Sequence, residues 1–452
     1  MILYCHTITP RLQYITDFIG KEIFGKPIEL TTEAGVFSSY VGPKINYSHT
    51  RINNEEPARP AGGLRIKNCS LLFENSIKEQ SISCFETNDF KTFFKTDGDY
   101  PFDIFAASFY LLSRYEEYLP HKKDMYGRYA HENSLAFKEG ILNIPLINVW
   151  LEDFKMVLKE KFSMLNILPI AIGTMFKFEP TYDIDEAYAF KNKSLFRNVG
   201  GIIKSIVNAC LPKPWRRQGE WAKIKERLKV MSGNNNDPYD SYEWIDALHE
   251  RLKLKPIYFF HVALKKGKYD KNIPPSHPAM QQLIKHHTEK YPIGIHPSWK
   301  SGDEESLLEK EIQMLESISR KKITSSRQHY IRVTLPHTFR RLIEAGITDD
   351  YSMGYGSING FRASVASTFY WYDLEKDQQT NLLLHPFCFM EANSFFEQKY
   401  TPQQAAEELK HYYEVVKSVN GTFISIWHNN FLGTHKLFTG WREVYEEFIS
   451  SL

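Results

Sequence analysis

Asp183 and Asp185 stand one residue apart in Thr181-Tyr182-Asp183-Ile184-Asp185, at the end of an apolar run. Alternate residues of a strand share a face, so a strand here would aim both carboxylates into whatever opens at its end. Two like charges that close are relieved by a cation or a shared proton. A metal-assisted hydrolytic site is the natural use of such a pair, against the plainer reading of two solvated turn aspartates. Further segments end short apolar runs with compatible side chains. They are Ile293-Gly294-Ile295-His296-Pro297-Ser298-Trp299, Arg327-Gln328-His329-Tyr330, Asp349-Asp350-Tyr351-Ser352 and Ile426-Trp427-His428-Asn429.

In this order the segments resemble the motifs of the polysaccharide deacetylase (NodB-like) family, and the resemblance spans roughly residues 165–452. The flank before it looks like the extra domain, of unknown function, carried by a bacterial subgroup of those proteins. The resemblance implies a divalent metal ion (zinc or similar) and a general base at Asp183. It makes Asp185 and His296 metal ligands and His428 the general acid for a departing amine. Arg327 would brace the catalytic carboxylate, and Asp350 matches the acid of the fourth motif. The chain departs from the family where a second histidine is expected four residues after His296, because Lys300 stands there. A lysine ammonium has no lone pair to offer a metal. Three readings compete. His329 supplies the missing ligand, water supplies it, or the metal is gone and the pocket binds sugar without cleaving it. Trp299 and Arg362 are expected substrate contacts, although an ion pair is an equal use for Arg362. His261 and His385 read as core or rim residues, and His277, His286 and His287 as exposed positions on a helix.

The elements that must hold these residues alternate. Strand-like runs fall near 176–182, 256–263, 292–296, 323–326, 347–351, 381–385 and 422–427. Helical periodicity falls near 242–253, 277–290, 304–319, 336–345, 403–419 and 440–450. Thr401-Pro402-Gln403-Gln404 carries a capping box with proline in the first turn, and Gly421 lies just past that helix's end. Alternation of this kind predicts a parallel sheet or barrel with ligands gathered at the carboxyl ends of its strands. The expected fold is therefore α/β, an incomplete parallel β/α barrel over 166–452 preceded by a small α/β domain over 1–165. In that first domain a helical pattern runs through Phe102–Leu112, and Arg114, Glu116 and Glu117 read as a solvated ion-pair face.

An insertion near 190–235 is too long for an ordinary loop. Its apolar run at Val199–Val207 precedes a basic stretch with Lys213, Trp215, Arg216, Arg217, Trp221, Lys223, Lys225, Arg227 and Lys229. Peripheral membrane contact through 197–229, a lid over a sugar site and a plain solvated helix all fit this pattern.

Composition narrows the classes. The 452 residues carry a formal charge of +2, which gives no argument for nucleic acid. The five cysteines (Cys5, Cys69, Cys84, Cys210, Cys388) are scattered and show no C-x-x-C spacing, the pattern of a reducing compartment. The first residues lack a basic segment before an apolar core, so the expected location is the cytoplasm, with inner-membrane contact as an alternative. The expected partner is a carbohydrate. The leading function is metal-dependent removal of an acyl group from an amino sugar. A degenerate sugar-binding protein and a membrane scaffold are the alternatives.

Overall fold

The computed structural model describes residues 1–52, 63–162, 175–211 and 219–452. The boundary expected near 165, and Lys213, Trp215, Arg216 and Arg217 of the insertion, lie outside the described residues. The chain forms two compact units. One comprises Met1–Phe178, Ile331–Phe389 and His411–Ile424; the other comprises Glu179–Tyr330, Met390–Lys410 and Ser425–Leu452.

In the first unit, strands Ile2–Tyr4, Glu29–Thr31, Lys44–Asn46 and Leu64–Arg65 make a parallel sheet with Ile2–Tyr4 in the middle. Helix Pro10–Phe24 starts on a Thr9 cap with Pro10 in its first turn and ends at Gly25, whose φ of 69° suits glycine. Helix Ile104–Leu112 is buried on every side, as its nearly unbroken apolar sequence requires. Asp103 caps it and also accepts from the Tyr47 hydroxyl at 2.8 Å. The strand expected near 381–385 spans Gln378–Leu384. It pairs in parallel with Asp349–Asp350 and also forms an antiparallel hairpin with Phe369–Asp373, which periodicity did not reveal. Arg114 and Glu117 are not a solvated face. Both are buried, and Glu117 is clasped by Arg114 (Nε–Oε1 2.8 Å) and by both Nε and Nη2 of Arg362 (2.8 and 2.6 Å). Burial would raise the Glu117 carboxyl, but the two guanidinium groups hold it at about 2. The partner that buries it is 245 residues away, so local spacing could not show it.

The second unit is a β/α layer. Strands Lys177–Ile184, Ile257–His261, Ile293–His296 and Ser325–Ser326 are parallel successive neighbours, and Thr422–His428 lies on the other side of the first. Helices Tyr242–Leu252, Pro278–Lys290 and Glu305–Ser319 come between consecutive strands, and Trp441–Ser450 follows the last. This is the winding of an incomplete parallel β/α barrel. Register places Asp183 beside Phe259, Phe259 beside Gly294, and His261 beside His296. These residues share one face, while Tyr182, Tyr258 and Phe260 alternate to the other. A Cβ on Gly294 would come within 2.5 Å of the Phe259 ring, so glycine is required there by space. The capping box forms as expected, with Gln404 N–H on Thr401 Oγ1 and Thr401 N–H on Gln404 Oε1. The left-handed residue after that helix is Asn420 (φ 53°) rather than Gly421. At Gly421 a Cβ would press on Ala366 at 2.7 Å.

The helix-facing side of this layer holds two buried histidines. His249 Nε2 meets the Tyr182 hydroxyl at 2.6 Å, and His287 Nδ1 donates to the Leu283 carbonyl at 2.9 Å. His287 is thus in the core rather than exposed, because Tyr258 packs against its ring at 4.3 Å. Burial pushes both histidines from 6.5 down to about 4. The folded state therefore binds fewer protons than the unfolded one between those values. Stability is full above pH 6.5 and falls as pH drops toward 4, by at most about 3 kcal/mol per histidine. Urea midpoints measured from pH 7 to 4 should fall, and His287→Gln should flatten the decline. An unchanged slope in that variant would count against this account.

The insertion folds as two helices, Leu195–Cys210 and Glu220–Met231. They lie close because Gly201 leaves room for Arg227, whose Nη1 donates to the Asn198 carbonyl at 2.9 Å. Asp237 anchors the chain between the Asp183 strand and this hairpin, accepting backbone N–H groups from Ala189, Phe190 and Lys191.

Candidate metal centre

Parallel strands leave their carboxyl ends unsatisfied and close together, and the chemistry gathers there. Asp185 Oδ1 lies 2.9 Å from His296 Nε2, and its Oδ2 lies 3.3 Å from His329 Nε2. Asp183 Oδ2 is 3.9 Å from His296 Nε2. One donor atom from each of Asp185, His296 and His329 lies within 4.8 Å of the others. Ligands about 2.1 Å from a tetrahedral ion sit roughly 3.4 Å apart, so this donor set fits a divalent cation. Its chemistry fits as well, with two imidazoles and one carboxylate.

Of the ring nitrogens turned away from that point, one is hydrogen-bonded and the other faces a buried carboxylate. His296 Nδ1 is 2.6 Å from the Arg327 carbonyl, which can only accept; Nδ1 therefore carries a proton, and Nε2 is the nitrogen left to meet a metal ion. His329 Nδ1 faces Asp270 Oδ1 at 3.5 Å, and His261 Nε2 faces the same oxygen at 3.4 Å. Carboxylate and carbonyl partners of this kind orient metal-binding histidines. His261, Asp270 and His329 form a second, overlapping donor group. The Trp299 and Gly267 N–H groups fix Asp270 in turn, at 2.8 and 3.0 Å. The second nitrogen, and with it the third ligand, thus comes from His329, past the neighbouring strand, and not from four residues beyond His296. Lys300 there begins a short 3₁₀ turn over Lys300–Gly302.

Charge reinforces the geometry. Burial works against ionising Asp185, yet His329 and His296 hold its carboxyl well below the usual range. Burial likewise opposes protonating His329, but Asp185 and Asp270 lift it to about 9. A proton and a metal ion therefore compete for the same nitrogen.

Two further groups flank the triad. Arg327 Nη1 donates to Asp183 Oδ1 at 2.9 Å and to Thr181 Oγ1 at 2.7 Å, and its guanidinium lies 4.4 Å over the Phe259 ring. Asp183 is thereby clamped at one oxygen, with the other turned toward His296. His428 Nε2 is 3.6 Å from Asp185 Oδ2. Glu391 holds His428 from behind, accepting from its Nδ1 at 2.7 Å and its backbone N–H at 2.6 Å. Burial disfavours charge on His428, but Glu391 and Asp185 raise it to about 10. Trp299 is half-buried, packed on Tyr269 at 4.3 Å and Tyr330 at 5.6 Å, and Tyr330 adjoins His329.

The structure brings together Asp183, Asp185, His296, Arg327, His329 and His428, with Trp299 tied to the group through Asp270. Asp350 and Arg362 belong to the first unit. Asp350 accepts there from Ser352 N–H and Oγ, and Arg362 grips Glu117. The sequence reading missed Asp270 and Glu391. Asp270 lies in a polar loop without periodicity. Glu391 ends the apolar run Phe387–Met390, the same signal that singled out Asp183.

Residues 1–163 match a family model described as a family of unknown function (DUF7033). No curated protein matches the chain. Solved structures similar to it include a probable polysaccharide deacetylase from Pseudomonas aeruginosa PAO1, at 13% identity and TM-score 0.38. The match covers 61% of this chain and 84% of that one. Puue allantoinase is similar at 12% identity and TM-score 0.40, over 63% and 85% of the two chains.

Proposed function

We infer that the second unit is a metal-dependent hydrolase that removes an acyl group, acetyl in the first instance, from an amino sugar or glycan precursor. The observation that carries this reading is the convergence of Asp185, His296 and His329 on one point, with Asp183 and His428 beside it. A divalent ion held there would polarise an amide carbonyl and acidify a water. Asp183, clamped by Arg327, is placed to take a proton from that water. His428, kept protonated by Glu391, is placed to give one to the departing amine. The Trp299–Tyr269–Tyr330 cluster offers aromatic faces for the apolar side of a sugar ring. No described helix is long and apolar enough to cross a membrane, and all five cysteines are free, which suits a cytoplasmic precursor as substrate.

Protein purified without chelators should carry a near-stoichiometric divalent ion. It should release acetate from N-acetylated amino sugars, lose that activity in EDTA and regain it on adding metal. Protein that takes up no ion at high added concentration, and still binds sugar, would replace this reading with that of a binding module.

A further inference from the structure

Helix Leu195–Cys210 is turned inside out. Its buried positions are Asn198, Ser205 and Ala209, all small or polar. Its large apolar side chains Leu195, Phe196, Val199, Ile203, Ile206 and Val207 face solvent, Phe196 at 91% exposure and Leu195 at 75%. At helical spacing these six fall on one continuous stripe. The second helix of the hairpin adds exposed Trp221 and Leu228. A contiguous exposed apolar surface of this kind marks a place of contact.

Charge identifies the occupant. Residues 191–231 hold eleven lysines and arginines against two glutamates, a local formal charge of +9 in a chain whose total is +2. Exposed Lys204, Lys225 and Lys229 accompany the apolar side chains on the same two helices. A second copy of the chain would set +9 against +9, and an uncharged partner would gain nothing from it. An apolar stripe, an exposed tryptophan and a dense positive charge on a helix too short to span a bilayer suit one surface, that of an anionic membrane.

The geometry points to this hairpin as a membrane-docking element: helix Leu195–Cys210 lies in the interface with its apolar stripe among the acyl chains, and the lysines meet anionic headgroups. The assignment rests on the hairpin alone and holds whether or not the metal centre turns over a sugar. The hairpin follows the strand that carries Asp183 and ends next to Asp185, so docking would hold the second unit at the surface where lipid-borne substrates reside.

Full-length protein should co-sediment with phosphatidylglycerol-containing vesicles and not with pure phosphatidylcholine vesicles, less so as salt rises. Phe196→Asp with Ile203→Asp alters only exposed positions. It should lower that binding at least roughly ten-fold, with circular dichroism and metal content unchanged. Lys204→Glu, Lys225→Glu and Lys229→Glu together should abolish the preference for anionic vesicles. Absence of binding to phosphatidylglycerol vesicles at low salt, or equal binding by the double variant, would overturn the assignment. So would a wild-type dimer that the double variant converts to monomer without any vesicle binding, since the stripe would then pair two copies.

Discussion

His296→Ala should strip the divalent ion from the protein and remove turnover with it. His296 offers Nε2 to the shared point at 2.9 Å from Asp185 Oδ1, and the Arg327 carbonyl holds its ring by Nδ1. Loss of an outer partner of a metal-binding histidine already costs about 10–100-fold in affinity, and loss of the ligand itself should exceed that. A two-ligand remnant would also leave Asp183 and Asp185 close with less cation to relieve them. Isothermal titration with zinc, supported by elemental analysis, measures the effect. His329→Ala should cause a loss of similar size, because His329 fills the third position. A small drop in His329→Ala would show instead that water does so and that the triad is a pair. Lys300→Ala should leave affinity near wild type.

Asp183→Asn should separate chemistry from metal binding. The substitution keeps shape and an acceptor for Arg327, and Asp183 is not one of the three converging donors. What it removes is the oxygen able to take a proton. Loss of a positioned general base costs on the order of 10²–10⁴-fold in kcat, about 3–5 kcal/mol. Metal content and Tm should stay close to wild type. The informative readout is kcat against metal occupancy in one preparation. A variant with full occupancy and undiminished kcat would remove Asp183 from the base's role.

Much of this was legible in the residues. Apolar runs bounded by turns located the strands at Lys177–Ile184, Ile257–His261, Ile293–His296 and Thr422–His428 to within a few positions. Period-2 and period-3.6 patterns follow from backbone geometry and need no knowledge of the partner. The capping box at Thr401–Gln404 was legible for the same reason, since both of its hydrogen bonds close within one helical turn. Asp270 and Glu391 were hidden because their role depends on which loops adjoin His329 and His428. In the insertion the apolar run at Val199–Val207 was legible, but neither the bounds of its helix, Leu195–Cys210, nor the face that meets water was; an apolar run does not show which side of a helix the rest of the chain covers.

By itself the sequence determined where strands end in carboxylates and imidazoles, because spacing along a strand sets which side chains share a face. Asp183, Asp185, His296, Arg327 and His428 were all named on that ground and on the motif resemblance. Only the tertiary structure decided how those ends combine. It set His329, not the residue four past His296, opposite Asp185, and it joined Glu117 to Arg362 across 245 residues. It also turned an apolar helix face outward. Each of these depends on which distant segments lie side by side, and that is settled by packing many elements at once rather than by any local repeat.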